Sequence, residues 1–137
     1  MGLTWTEWLS TGVEWQDEQH KELFGKINRL MGLIEGKSEW KDLADILRFL
    51  DIYISSHFRN EESAMYKLRY PESFSHKAQH ELFKRLVANL KDRFERAEGR
   101  DIRIFASELQ KLLTDWLYGH IAQEDKRLGS FLQAHGH

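Results

Sequence analysis

The side chains able to do chemistry in this 137-residue chain are seven histidines and 22 carboxylates, with no cysteine. Lacking thiols, it has no disulfide, thiol redox centre or iron–sulfur ligation. Five histidines continue apolar stripes of helical period. His20 extends the series Leu23, Phe24, Ile27, Leu30, Met31 and Ile34 backwards. His57 follows Leu50 and Ile54, and Glu61 comes four residues later. His76 and His80 lead into Phe83, Val87 and Leu90, and His120 continues Leu113, Trp116 and Leu117. All five imidazoles and Glu61 are therefore expected to face one interior. An ionised carboxylate buried there without a partner costs several kcal/mol or protonates. A cation among these groups relieves all of them at once. Structural zinc takes four ligands and favours cysteine, while calcium and magnesium favour oxygen shells. Imidazole with carboxylate suits iron, among other transition metals. More protein donors than one ion usually accepts point to two ions sharing bridging carboxylates. His135 and His137, in a glycine-containing tail, are expected to be exposed and uninvolved.

The elements that must position these groups are helices. A single proline, Pro71, and glycines concentrated at a few sites leave long uninterrupted segments. Four stripes predict helices over about 18–36, 41–68, 72–97 and 101–133. Asp17 is the expected N-cap of the first, which ends at Gly36-Lys37-Ser38. The second runs through Leu43, Ile46, Leu47, Leu50, Ile54, Met65 and Leu68. It stops before Arg69-Tyr70-Pro71, because the residue preceding proline disfavours helical geometry. The third carries Phe83, Val87, Leu90 and Phe94 and ends at Glu98-Gly99-Arg100. The fourth carries Phe105, Leu109, Leu112, Leu113, Trp116 and Leu117, then Leu128, Phe131 and Leu132. Short connections favour an all-α, antiparallel up-down-up-down four-helix bundle. Residues 1–16, with Trp5, Trp8, Leu9, Val13 and Trp15 around Thr11-Gly12, are expected to form an irregular N-terminal arm covering apolar surface.

Composition narrows the function. A formal charge of −2 and a pI near 6.4 argue against nucleic acid as a partner. With 41% hydrophobic and 31% charged residues the chain is expected to be one globular domain, 1–137. No apolar run approaches the ~20 residues of a membrane span, and residues 1–16 hold no secretory h-region. The expected location is cytoplasmic, without membrane insertion.

A second bridging carboxylate should come from the fourth helix. Glu124, at i+4 from His120, lies about 40° round an ideal helix, whereas Asp125, at i+5, lies about 140° round. Spacing alone favours Glu124.

Taken in order, these pieces resemble the hemerythrins, specifically the single-domain bacterial and archaeal form. The matching stretches are Thr11-Gly12 through Asp17-Glu18-Gln19-His20, then His57-Phe58-Arg59-Asn60-Glu61-Glu62 with Met65. Tyr70-Pro71 follows, then His76 and His80, and finally Trp116-Leu117, His120-Ile121 and Asp125. The resemblance spans nearly the whole chain and implies a non-haem di-iron centre that binds dioxygen reversibly. His76, His80 and His120 would hold one iron and His20 and His57 the other. Glu61 and Asp125 would bridge both, with an oxo or hydroxo group as third bridge. The family pattern thus picks Asp125 over Glu124, which requires the fourth helix to be distorted near His120, for instance by a π-bulge. The oxygen pocket would be walled by Leu23, Phe58, Trp116, Leu117 and Ile121.

With about six donors per metal, roughly twelve positions are to be filled. Five imidazoles, two bridging carboxylates and a bridging oxygen fill about eleven, and the vacancy falls on the two-histidine iron. Catalytic di-iron carboxylate bundles place Glu-x-x-His motifs on their helices, and none occurs here. The expected chemistry therefore stops at a reversible two-electron step, and no enzyme activity is expected. The reading is oxygen storage, transport or delivery to an oxygen-using enzyme. The alternatives are an oxygen, redox or iron sensor, or a di-iron peroxidase or nitric-oxide-handling enzyme. Sensor forms of the family usually come fused to a signalling domain, for which no residues remain here. A catalyst needs an acid–base group beside the vacancy, and none stands out among the wall residues.

Overall fold

The computed structural model describes residues 5, 7–36 and 39–135. Parts of the expected arm, the Lys37-Ser38 turn and His137 lie outside the described residues. Four helical rods form an antiparallel bundle, with no strand among the described residues. The first rod is α1 (Glu14–Glu35). The second is α2 (Trp40–Tyr53), a π-helical segment (Ile54–Phe58) and α3 (Arg59–Leu68). The third is α4 (Ser73–Arg96). The fourth is α5 (Ile102–Trp116), a second π-helical segment (Leu117–Asp125) and α6 (Lys126–His135). The second rod ends at Arg69, whose left-handed φ of 55° closes the turn with Tyr70 N–H donating to the Met65 carbonyl at 2.9 Å.

Asp17 is not the N-cap. The helix begins three residues earlier, with Val13 at the cap position and no side-chain cap bond. The Asp17 carboxylate instead reaches back over the arm, accepting from Ser10 Oγ (2.6 Å), Thr11 N–H (2.8 Å) and Thr11 Oγ1 (3.0 Å). Partial burial alone would raise its pKa, but these bonds outweigh it and hold the carboxyl below its ordinary value. The arm, which carries a 3-10 turn over Glu7–Leu9, is thereby tied to the first turn of α1. Its Leu9 and Val13 are buried, while its Trp8 is exposed. A Cβ on Gly129 of α6 would lie 2.5 Å from the Thr11 carbonyl oxygen, so the arm passes the fourth rod at a distance only glycine permits.

The core has two apolar clusters. The larger includes Leu23, Ile27, Leu30, Leu43, Leu50, Phe83, Leu109, Leu113 and Leu117. The smaller joins Val13, Met65, Tyr70, Leu128 and Leu132. Along every rod the buried histidines and acids fall between members of the two. His20 lies between Val13 and Leu23, His57 and Glu61 between Leu50 and Met65, His76 and His80 between Tyr70 and Phe83, and Asp125 between Leu117 and Leu128. The bundle thus carries a polar layer sandwiched between two apolar ones.

Candidate metal centre

All seven side chains of that layer, His20, His57, Glu61, His76, His80, His120 and Asp125, are at most 2% exposed. They form two groups sharing the carboxylates. Glu61, His76, His80, His120 and Asp125 make one, and His20, His57, Glu61 and Asp125 the other, with donor atoms in each group within 4.8 Å of one another. The Nε2 atoms point inward. His76 Nε2 lies 3.0 Å from Glu61 Oε1 and 3.1 Å from Asp125 Oδ1, and His80 Nε2 lies 3.0 Å from Glu61 Oε1. His120 Nε2 is 3.0 Å from Asp125 Oδ1. In the other group, His20 Nε2 is 2.9 Å from Asp125 Oδ2, and His57 Nε2 is 2.9 Å from Glu61 Oε2.

The outer nitrogens of three rings are held. His57 Nδ1 pairs with Gln19 Oε1, His120 Nδ1 with Gln79 Oε1 at 2.6 Å, and His80 Nδ1 with Glu62 Oε2 at 2.9 Å. These oxygens can only accept, so each of the three rings carries its proton on Nδ1 and turns an Nε2 lone pair, where neutral, to the centre. Despite the short distances, His120 Nε2 and both Asp125 oxygens have no partner in hydrogen-bond geometry. Lone pairs that approach closely without aiming at one another are directed at shared points between them. His76 Nε2 and His80 Nε2 do meet Glu61 Oε1 in hydrogen-bond geometry at 3.0 Å, but the three unpartnered atoms are aimed as ligands are, and the donor set fits transition-metal ions.

Electrostatics agree. Burial opposes charge on His57, yet Glu61 and Asp125 raise it to about 9, and the same two carboxylates raise His76 to about 10 against its burial. His120 is lowered, chiefly by burial. Burial raises Glu61 and Asp125, but the surrounding imidazoles outweigh this and hold both well below the usual carboxylate range. Positive charge is thus wanted at the centre, in the form of protons if nothing else.

The two π segments explain which acid arrives. In a π-turn, bonded i to i+5, residues five apart stack one turn above the other, so Asp125 stands over His120 inside the bundle. Glu124 is turned away from the centre, largely covered, and pairs with Arg127 at 3.2 Å. The ideal-helix preference for Glu124 is overturned by that distortion. The other π segment, at Ile54–Phe58, was not anticipated by the stripe reading. With it, Tyr53 is buried where Ile54 was expected, and Ile54 is only partly covered.

The chain matches the model of the hemerythrin HHE cation binding domain over residues 11–132. It belongs to the hemerythrin family. Among hemerythrins, a bacteriohemerythrin of Pseudomonas aeruginosa is 38% identical over 123 residues, 90% of this chain and 76% of that protein. One from Methylococcus capsulatus is 30% identical over 133 residues, 96% of this chain and 98% of the relative. Among solved structures, a leucine-to-alanine mutant of hemerythrin superposes with a TM-score of 0.80 at 29% identity, covering 95% of this chain and 97% of that one. Wild-type hemerythrin superposes at 0.78.

Of the five expected wall residues in this hemerythrin, Leu23, Leu117 and Ile121 are fully buried in the larger apolar cluster. Phe58 and Trp116 lie flat on imidazoles of the three-histidine group. Phe58 stacks on His80 at 3.9 Å and 1°, and Trp116 on His120 at 3.9 Å and 10°. His135 is exposed at the end of α6, its ring 4.2 Å from Phe131. Sequence reasoning missed the residues that orient the donors, namely Gln19, Glu62 and Gln79. It also missed Gln16, whose buried Nε2 donates to Glu61 Oε2 at 2.9 Å. Their signal was adjacency: Gln19, Glu62 and Gln79 each sit one position from His20, Glu61 or His80, and Gln16 sits one turn before His20. It missed Tyr53 as well. Burial, then Asp125 and Glu61, push the Tyr53 hydroxyl well above its ordinary pKa, while the Trp116 indole opposes the rise.

Proposed function

We propose that the seven-residue layer holds two iron ions and that the protein binds dioxygen there reversibly, as a store, a carrier or a supply to an oxygen-using enzyme. His76, His80 and His120 hold one iron, His20 and His57 the other, and Glu61 and Asp125 span both, with an oxo or hydroxo bridge. The observation that carries this reading is the convergence of five inward Nε2 atoms on two shared, buried carboxylates, with His120 Nε2 and both Asp125 oxygens close to the others yet without a hydrogen-bond partner.

Two bound ferrous ions would supply two electrons to a small ligand. The chain's own residues set the conditions. Gln19, Gln79 and Glu62 hold their histidines in one tautomer and orientation. Gln16 fixes the Glu61 carboxylate. Leu23, Leu117 and Ile121, each fully buried in the larger apolar cluster, keep water from the layer. Phe58 and Trp116 cover the rings of the other half. Restricting water and protons favours release of the ligand unchanged.

The test is anaerobic loading with ferrous iron, followed by exposure to and removal of dioxygen while the visible spectrum is recorded. Repeated appearance and loss of one absorption band supports the reading. Irreversible bleaching, with turnover of an added reductant, replaces it with an enzyme.

A further inference from the structure

Three buried polar atoms near the metal layer, outside its seven side chains, have no hydrogen-bond partner: Gln16 Oε1, the Tyr53 hydroxyl and the Trp116 indole N–H. Tyr53 is the last residue of α2, one turn before His57, and is 4% exposed. Its ring lies parallel to the His57 imidazole at 4.9 Å and 9°, and edge-on to Phe58 at 5.8 Å and 68°. Phenylalanine would fill the same space and keep both ring contacts. The hydroxyl adds only an unmet polar group, a costly thing to bury unless something outside the chain meets it.

His57 belongs to the group with four protein side chains, whereas the other group has five. A small ligand completing the metals' shells therefore adds on the side where Tyr53 is stacked. The hydroxyl is itself buried and its ring lies on His57, so it sits inside the bundle beside the four-donor group and not in solvent.

We propose that Tyr53 donates a hydrogen bond to a small exogenous ligand with a terminal acceptor atom, held at the four-donor half. This rests on the two-metal reading above. It adds a specificity device: ligands able to accept a hydrogen bond at their outer atom are selected over apolar diatomics of the same size.

The probe is azide, added to the iron-loaded, oxidised full chain. Affinity is read from a visible titration, and the azide stretch is recorded by infrared in H2O and D2O. The wild type is expected to show a deuterium-sensitive stretch. Tyr53→Phe is expected to lose that sensitivity and bind azide about 10-fold more weakly. Without metal, Tyr53→Phe is expected to melt no lower than wild type. A wild-type stretch indifferent to D2O overturns the inference, and needs no variant. So does Tyr53→Phe with unchanged azide affinity and an unchanged deuterium shift. A visible tyrosinate-to-iron band in the wild type that is lost in Tyr53→Phe also overturns it, by making Tyr53 a ligand. A chain that loads fewer than two metals overturns the proposed function and this inference together. Two metals with azide bound but no exchange-sensitive shift overturns the inference alone.

Discussion

Each imidazole at the centre has two nitrogens with different tasks, and the outer one decides what the inner can do. Glu62 is a carboxylate on His80 Nδ1, where Gln19 and Gln79 offer amides to His57 and His120. Glu62→Ala should weaken metal binding about 10- to 100-fold, the usual effect of losing an outer partner, as measured by competition with a chelator. Protons are the metal's rivals. In the metal-free chain His57 is raised to about 9 and His76 to about 10, both above the ordinary 6.5. Stability drawn from those raised values is complete below 6.5 and is lost as pH climbs through 9 to 10. Thermal melts of metal-free protein should therefore fall across that window. Metal binding needs both rings neutral, so its affinity should rise over the same range.

At the scale of elements, the departures from regular helix sit where the ligands are. The stripes gave the four rods and brought His20, His57, Glu61, His76, His80 and His120 to one layer, because burial and the 3.6-residue period are written in the order of apolar side chains. Asp125 was not legible that way. Periodicity assumes uniform winding, and the Leu117–Asp125 segment is wound as a π-helix; only the family resemblance pointed to it. The same limit hid Tyr53 behind Ile54. The two acids separate cleanly in a metal count. Glu124→Ala, which removes an ion pair with Arg127 away from the centre, should leave metal content unchanged, and Asp125→Ala should reduce it. Equal losses from both would contradict the π-helical placement. Asp17 was misjudged for a different reason. A cap side chain bonds forward into its own helix, whereas this one bonds backward to an arm whose path the local sequence does not specify.

Across the whole molecule, a buried polar layer lies between two apolar clusters, and the arm packs into both, Leu9 into the larger and Val13 into the smaller. None of the described helices is long and apolar enough to cross a membrane. Gly129→Ala should push the arm off α6, since its Cβ would meet the Thr11 carbonyl oxygen at 2.5 Å and backbone cannot yield cheaply. The expected cost is about 1–3 kcal/mol, read as a lower melting temperature with metal content preserved. The polar layer itself is the element most dependent on a ligand. Seven ionisable side chains buried together are stabilised by any cation that binds the folded state alone, so loaded protein should melt well above the metal-free form. The most direct test of the dinuclear layer is the ratio of iron to chain after anaerobic ferrous loading and desalting. Two irons per chain is the predicted result. One or none, with the five inner nitrogens found protonated and bonded to the two carboxylates, would contradict it.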